Sequence, residues 1–249
     1  MMTFKRIVAA AALGTATMAP GVASADLSGN AGVMSEYLFR GLTQGNGASV
    51  YGGLDYSHES GFYVGTWAAT INDFATGTSG DYGGSGAGAE VDIYAGFSGG
   101  DAVSYDVGVI YYLYTEDDEA AEAAGQPSPD PGADTIELYG SLGFGPAAVS
   151  AYYAPDTYFG VDDSAYGFSG SASFPLTDVL AFDLGVGFHG GDGNEGLIGT
   201  GESSYIDYSL GVSAGLENGF AFSFGFVATD IDNDDPTAVV DASYSFDLM

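Results

Sequence analysis

The sequence predicts an all-β fold: an antiparallel up-and-down transmembrane β-barrel of about twelve strands, preceded by a cleavable signal peptide. Three observations lead to this prediction. The first residues have the layout of an export signal, the rest alternates with a two-residue period, and long and short connections follow one another in strict order. The expected division is a signal peptide at residues 1–25 and an outer-membrane β-barrel at residues 26–249.

The N-terminal segment carries the export signal. Lys5 and Arg6 precede an apolar run at residues 7–13, and residues 23–25 (Ala-Ser-Ala) have the small side chains of a cleavage site. The alternative, a membrane anchor, is disfavoured because the apolar run is too short to span a bilayer. We therefore expect export, so that strands must supply any membrane-spanning segment.

Beyond residue 25 the chain is strongly acidic, with Arg40 as its one basic residue against 34 Asp and Glu. Nucleic acid is excluded as a partner, because phosphate contacts need clustered Lys and Arg. Two interpretations of the acidity stay open: a solvated surface adapted to salty surroundings, or a field that attracts cations. The chain has no cysteine, which excludes disulfides and thiolate metal sites.

Two-residue alternation predicts the strands. The clearest ladder places Phe at every second position of residues 220–226. In the third strand the assignment stays open, because Phe62 and Tyr63 compete for the outward face. The expected strands are residues 27–40, 49–58, 62–71, 89–97, 103–114, 135–144, 147–154, 166–174, 179–189, 204–215, 220–229 and 237–248.

Charge placement and connection lengths separate a barrel from a soluble sandwich. Charged strand residues have the parity opposite to the bulky apolar ones, as a lipid-facing band requires, although a sandwich would also keep charge off one face. The connection lengths decide, because an up-and-down barrel alternates long and short links and a Greek-key sandwich does not. The short links are 59–61, 98–102, 145–146, 175–178 and 216–219, and the long ones 41–48, 72–88, 115–134, 155–165, 190–203 and 230–236.

Several segments also resemble a known family. They are SGNAGVMSEYLFRG at 28–41, GGLDY at 52–56, GFYVGTW at 61–67, AEVDIYAG at 89–96, YDVG at 105–108 and ELYG at 137–140. These segments resemble the TorF-type outer-membrane porins of proteobacteria. The resemblance spans most of the chain after the signal, and it implies an outer-membrane barrel with a porin role. It supplies no catalytic or binding residues.

Arg40 is the first candidate functional residue. Its parity places it on the lumen side, near the outer end of the first predicted strand. We expect an ion pair with Asp241 of the last strand, with Asp55 and Glu36 as alternative partners. The competing interpretation is an arginine that only specifies the fold.

The lumen face is expected to be wet, because Gly and Ser dominate it. Its acids can bias conduction toward cations, or they are ordinary polar groups on a wet face. The bulky inward residues Met34, Leu38 and Tyr94 argue against a wide lumen. The candidate pore-lining residues are Glu36, Arg40, Asp55, Glu90, Asp92, Asp106, Glu137, Asp183, Asp207 and Asp241.

These features predict passive diffusion of small hydrophilic solutes across the cell outer membrane, with a preference for cations. The alternative is a non-conducting structural or surface-interaction barrel. The expected partners are outer-membrane lipid, the permeating solutes or cations, and the barrel-assembly and periplasmic chaperone machinery.

Catalysis, cofactors and a dedicated metal site are not expected. The two histidines, His58 and His189, lie outside any local nucleophile motif, which disfavours a barrel hydrolase. Asp230-x-Asp232-x-Asp234 lacks the Gly and the closing Glu of an EF-hand loop. The run at 190–195 is a single copy of a turn that binds calcium only in repeats.

Overall fold

A computed structural model describes residues 26–44, 47–72, 87–115, 133–232 and 234–249. The predicted signal peptide lies outside these residues, as do most of the connections predicted at 72–88 and 115–134. Among the described residues, no helix is long and apolar enough to cross a membrane.

Fourteen strands and one short helix make up the regular structure of the described residues. They are β1 (Asp26–Met34), β2 (Leu38–Phe39), β3 (Leu42–Thr43), β4 (Ser49–Ser57), β5 (Phe62–Asn72), β6 (Ala87–Gly99), β7 (Ser104–Tyr114), β8 (Thr135–Phe144), β9 (Ala147–Ala154), β10 (Ala165–Pro175), β11 (Leu180–Gly190), α1 (Asp192–Ile198), β12 (Ser204–Gly215), β13 (Phe220–Thr229) and β14 (Thr237–Asp247).

Twelve of these strands form one closed antiparallel barrel, which confirms the predicted fold class. Each barrel strand pairs with the next one along the chain. The barrel closes where β1 pairs with β14, from Ser28 opposite Asp247 to Met34 opposite Asp241. Closure leaves no unpaired sheet edge, as a sheet in hydrocarbon requires.

The two faces of the barrel differ as the alternation predicts. Large apolar side chains point outward, such as Val107, Phe168 and Phe224. Every Asp and Glu of the described barrel strands has the opposite parity and faces the lumen. The open assignment in β5 is resolved, because Val64 is exposed outward and Tyr63 is buried inside. The outward face is thus an uncharged apolar band, suited to lipid.

Long and short connections alternate around the barrel. The short turns lie at the end that also carries both strand termini, where the Leu248 amide donates to the Leu27 carbonyl at 2.7 Å. We call this the turn end, and the opposite end, with the long connections, the loop end. The predicted order of connections is confirmed.

The prediction for the first strand is wrong beyond Met34. Residues 35–44, here called the inner hairpin, leave the barrel wall and pair β2 with β3. Its turn is Arg40-Gly41, with positive φ angles of 54° and 84°, the sign that a type I′ hairpin turn requires at both positions. The two-residue period continues through β2, so alternation alone does not mark the change of direction.

Two adjacent residues of β13, one on each side of the barrel wall, test the assignment of the outward and lumen faces. Phe224→Lys places a charge in the outward band and should cost about 2–4 kcal/mol of unfolding free energy near the bilayer midplane. Ser223→Lys is the matched control, since it faces the lumen with Asp241 as its register partner, and should change stability by less than about 1 kcal/mol. Urea unfolding in lipid vesicles measures both, and equal costs would contradict the assignment of faces.

Candidate functional site in the barrel lumen

The inner hairpin crosses the lumen at the loop end. On one side Leu38, only 7% exposed, packs against Val227 of β13 and Val239 of β14. On the other side the hairpin reaches β8 through Arg40. Gly41 lies so close to the wall that a Cβ there would fall 2.7 Å from the methyl group of Thr229. The hairpin therefore occupies the interior rather than lying over the mouth.

A group of four wall and loop residues, here called the arginine clamp, holds the tip of the hairpin. It consists of Glu137, Tyr152, Tyr158 and Tyr205. Both guanidinium nitrogens Nη1 and Nη2 of Arg40 donate to Glu137, at 2.7 Å each, and Nη1 donates to the Tyr158 hydroxyl at 3.0 Å. The Tyr205 hydroxyl donates to the Arg40 carbonyl at 3.0 Å. Side chain and backbone of the tip are thus both fixed.

The clamp also stacks an aromatic ring on the guanidinium group. The Arg40 Cζ atom lies 3.3 Å from the ring centre of Tyr152, a cation–π contact. Burial works against the charged form of Arg40, but Glu137, Tyr152 and Tyr158 together outweigh it and raise the pKa of Arg40 above its ordinary value. The arginine is therefore a permanent cation in a largely dry site.

His189 packs against two tyrosines of the arginine clamp. Its ring stacks on Tyr152 at 5.9 Å and packs against Tyr205 at 4.7 Å between ring centres. Its Nε2 lies 2.6 Å from Asp207 Oδ1, and its Nδ1 lies 3.2 Å from the Tyr152 hydroxyl. These contacts fix the orientation of both tyrosines that grip Arg40.

A second segment, residues 155–164, also folds inward at the loop end. Tyr158 and Phe159 are buried, and the Phe159 amide donates to Thr135 Oγ1 at 2.7 Å. The ring of Phe159 packs edge-on against Phe39 of the hairpin, with the centres 5.6 Å apart. The two inward segments and the wall thereby form an aromatic cluster that narrows the lumen.

Tyrosine hydroxyls satisfy most of the other lumen carboxylates. Glu90 accepts from Tyr37 and Tyr114, both at 2.6 Å. Three more pairs follow the same pattern: Tyr94 with Asp55 at 2.6 Å, Tyr63 with Asp106 at 2.6 Å and Tyr51 with Asp241 at 2.8 Å. A tyrosine hydroxyl satisfies a carboxylate oxygen without adding a counter-charge, so the lumen stays rich in acidic groups.

Two lumen acids are less well satisfied. Asp92 is buried beside Glu90, and its Oδ1 has no hydrogen-bond partner; the same is true of Asp183 Oδ2 on β11. The wall on the β11–β14 side has more small residues, such as Ser213 and Gly225, although Asp183 and His189 also face the lumen there. The tyrosine–carboxylate pairs thus concentrate at β4–β8, and small residues are more frequent at β11–β14.

A family model for bacterial proteins of unknown function (Gcw_chp) matches residues 18–247. The chain belongs to this family. No curated protein matches the chain in sequence.

Solved structures share the fold. The KdgM porin has 9% sequence identity and a TM-score of 0.53, covering 88% of this chain and 99% of its own. The NanC porin has 10% identity and a TM-score of 0.51, covering 89% and 100%. A structure of the KdgM porin in complex with disordered oligogalacturonate has 8% identity and a TM-score of 0.51, covering 89% and 99%. At this identity the likeness shows a common barrel architecture.

The predicted ion pair between Arg40 and Asp241 is wrong. Arg40 belongs to the inner hairpin and not to the first strand, so it crosses to Glu137, and Asp241 is paired with Tyr51. The alternative partners are also wrong: Asp55 bonds to Tyr94, and Glu36 accepts hydrogen bonds from Thr43 and from the Gly47 amide. Glu36 therefore stabilises the base of the hairpin.

The other predicted lumen residues face the interior. Glu90, Asp92, Glu137 and Asp241 lie buried around the inner hairpin, and Asp207 lies behind the clamp. Asp55, Asp106 and Asp183 lie nearer the turn end. The sequence prediction placed Tyr94 inward but missed the other lumen tyrosines. Their lumen parity was the available signal: Tyr51, Tyr63, Tyr114 and Tyr152.

The described residues contain no group of three His, Asp or Glu side chains arranged to hold a metal ion. His58 lies in the turn after β4, bonded to Ser60 at 2.9 Å. His189 is buried in the lumen wall, as its parity predicts.

A double-mutant cycle tests the ion pair. Arg40→Leu leaves the carboxylate of Glu137, 1% exposed, without its cation and should cost about 3–5 kcal/mol. The double variant with Glu137→Leu should recover much of that loss, because no charge stays buried. Urea unfolding gives the free energies, and hydrogen exchange at residues 37–44 reports whether the hairpin is released. Additive single effects would show that the pair does not hold the hairpin.

Proposed function

We propose that this protein is a porin-like channel of the cell outer membrane, for passive diffusion of small hydrophilic solutes and with a preference for cations. The observation that carries the proposal is the division of faces in a closed barrel. Apolar side chains cover the outside, and all strand carboxylates point into the lumen. The KdgM and NanC porins share the barrel fold, and the TorF-type resemblance agrees with the proposal.

The cation preference follows from the charge balance of the lumen. Arg40 is the only Lys or Arg among the described residues, and Glu137 neutralises it. The remaining lumen acids have no Lys or Arg partner among the described residues, and rings of acids favour cations in channels. A polyanion such as the oligogalacturonate of the KdgM complex would meet like charge along this lumen.

The proposed outer-membrane location implies three kinds of partner. Outer-membrane lipid would cover the apolar band, and the barrel-assembly and periplasmic chaperone machinery would deliver the chain after cleavage of the signal peptide at residues 1–25. Small solutes or cations would occupy the lumen, on the side that Gly and Ser leave open.

One observation favours a second candidate, a non-conducting structural or surface-interaction barrel. The inner hairpin spans the interior, and its Leu38 and Gln44 are buried. If the hairpin never leaves this position, the loop end stays closed, and the connections at that end carry the function.

Planar-bilayer recording separates the two candidates. The channel predicts discrete conductance steps and a reversal potential of the cation-selective sign in a salt gradient. A correctly folded barrel that gives no current would favour the non-conducting candidate, and anion selectivity would contradict the acidic-lumen argument.

Two acids near the turn end test the source of selectivity. The double variant Asp55→Asn/Asp106→Asn keeps acceptors for Tyr94 and Tyr63 and removes two lumen charges, so the reversal potential should move toward zero. Glu217→Gln is the control, since this exposed acid lies in the turn at 216–219 outside the lumen. An unchanged reversal potential in the double variant would show that the lumen acids do not set selectivity.

A further inference from the structure

The arginine clamp has the chemistry of a ligand site. Glu137 offers both carboxylate oxygens to one planar fork at 2.7 Å each, and Tyr152 covers the face of the guanidinium group. The Tyr158 hydroxyl accepts a further N–H at 3.0 Å. Bidentate pairing and ring stacking together are the pattern that recognises guanidinium and not ammonium.

We infer that Glu137, Tyr152 and Tyr158 form a binding site for the guanidinium group of a solute, which the inner hairpin fills with its own Arg40 when the lumen is closed. A solute that carries this group competes with the hairpin tip. It would take the place of Arg40 and supply the same charge to Glu137, so the buried carboxylate never stays unpaired.

Arg40 can be displaced from the clamp because some contacts of the inner hairpin are unfavourable. Arg40 has a left-handed backbone at φ 54°, which costs a non-glycine residue free energy. The buried Gln44 Oε1 has no hydrogen-bond partner. Asp92 lies buried near the clamp without a cation of its own, and its Oδ1 has no hydrogen-bond partner, so departure of the hairpin would let water reach it. These unfavourable contacts offset part of the free energy with which the clamp binds the hairpin.

The inference deepens the proposed function, because it names the solute class that the cation-preferring lumen would select. It also stands apart from conduction, since binding at the clamp can be measured on a barrel that passes no current. Binding without conductance would overturn the channel and leave the site; conductance without binding would overturn the site and leave the channel.

Chemical rescue tests the site directly. In Arg40→Ala the clamp is vacated, and methylguanidine at low millimolar concentration should raise the thermal unfolding temperature of the refolded barrel, since a ligand of the folded state stabilises it. Methylammonium, with the same charge but no fork, should not. Adding Glu137→Gln to Arg40→Ala should weaken methylguanidine by about 10- to 100-fold, the loss of a charge-assisted bidentate contact.

Wild-type protein supplies the second test, which stands even if Arg40→Ala does not fold. Tyr37 of the hairpin packs on Trp67, with ring centres 5.4 Å apart, and Trp67 is the only tryptophan of the chain. Agmatine should displace the hairpin and shift the tryptophan emission, whereas putrescine, of equal charge and similar length, should do so only at much higher concentration. Equal responses to both amines, or equal methylguanidine effects with and without Glu137, would overturn the inference.

Discussion

In the proposed membrane setting, hydrocarbon offers no hydrogen bonds to backbone groups, and this constraint accounts for the arrangement of the described barrel. It closes the sheet through the pairing of β1 with β14 and turns the charges inward. The interior then has to hold many carboxylates, and the described chain has one cation for them, Arg40. Tyrosine hydroxyls take the place of the missing cations, as in the pairs Tyr94–Asp55 and Tyr63–Asp106.

Arg40, the one Lys or Arg of the described residues, lies where the inner hairpin crosses the lumen. Glu137, only 1% exposed, would be costly to bury alone, and Arg40 reaches it from the inner hairpin. The same residue that neutralises the wall therefore also fixes the hairpin across the interior. This arrangement explains why the turn is Arg40-Gly41 rather than the usual Asn-Gly of a type I′ turn: the side chain is needed even though its backbone conformation is unfavourable.

Much of the barrel could be predicted because its signals are local. Strands such as 135–144 and 220–229 were predicted with the bounds that the structure shows, since side-chain alternation and the turns both follow from neighbouring residues. The partner of Arg40 could not be predicted, because an inward hairpin keeps the two-residue period and its contact with Glu137 spans 97 positions. Tyr63 shows the remaining difficulty. Tyrosine suits a lipid-facing band and also a hydrogen-bonded lumen, so the residue type alone does not predict on which face a tyrosine lies.

The proposed closed lumen requires that the inner hairpin lies inside the barrel in a membrane. The chain has no cysteine, so Leu38→Cys and Val239→Cys, at positions that pack in one buried cluster, introduce the only two thiols. Oxidation of the double variant in intact outer membranes should form an intramolecular disulfide, detected as a mobility shift on gels, while Leu38→Cys alone should be protected from water-soluble thiol reagents. Failure to cross-link, together with free labelling of Leu38→Cys, would contradict the account.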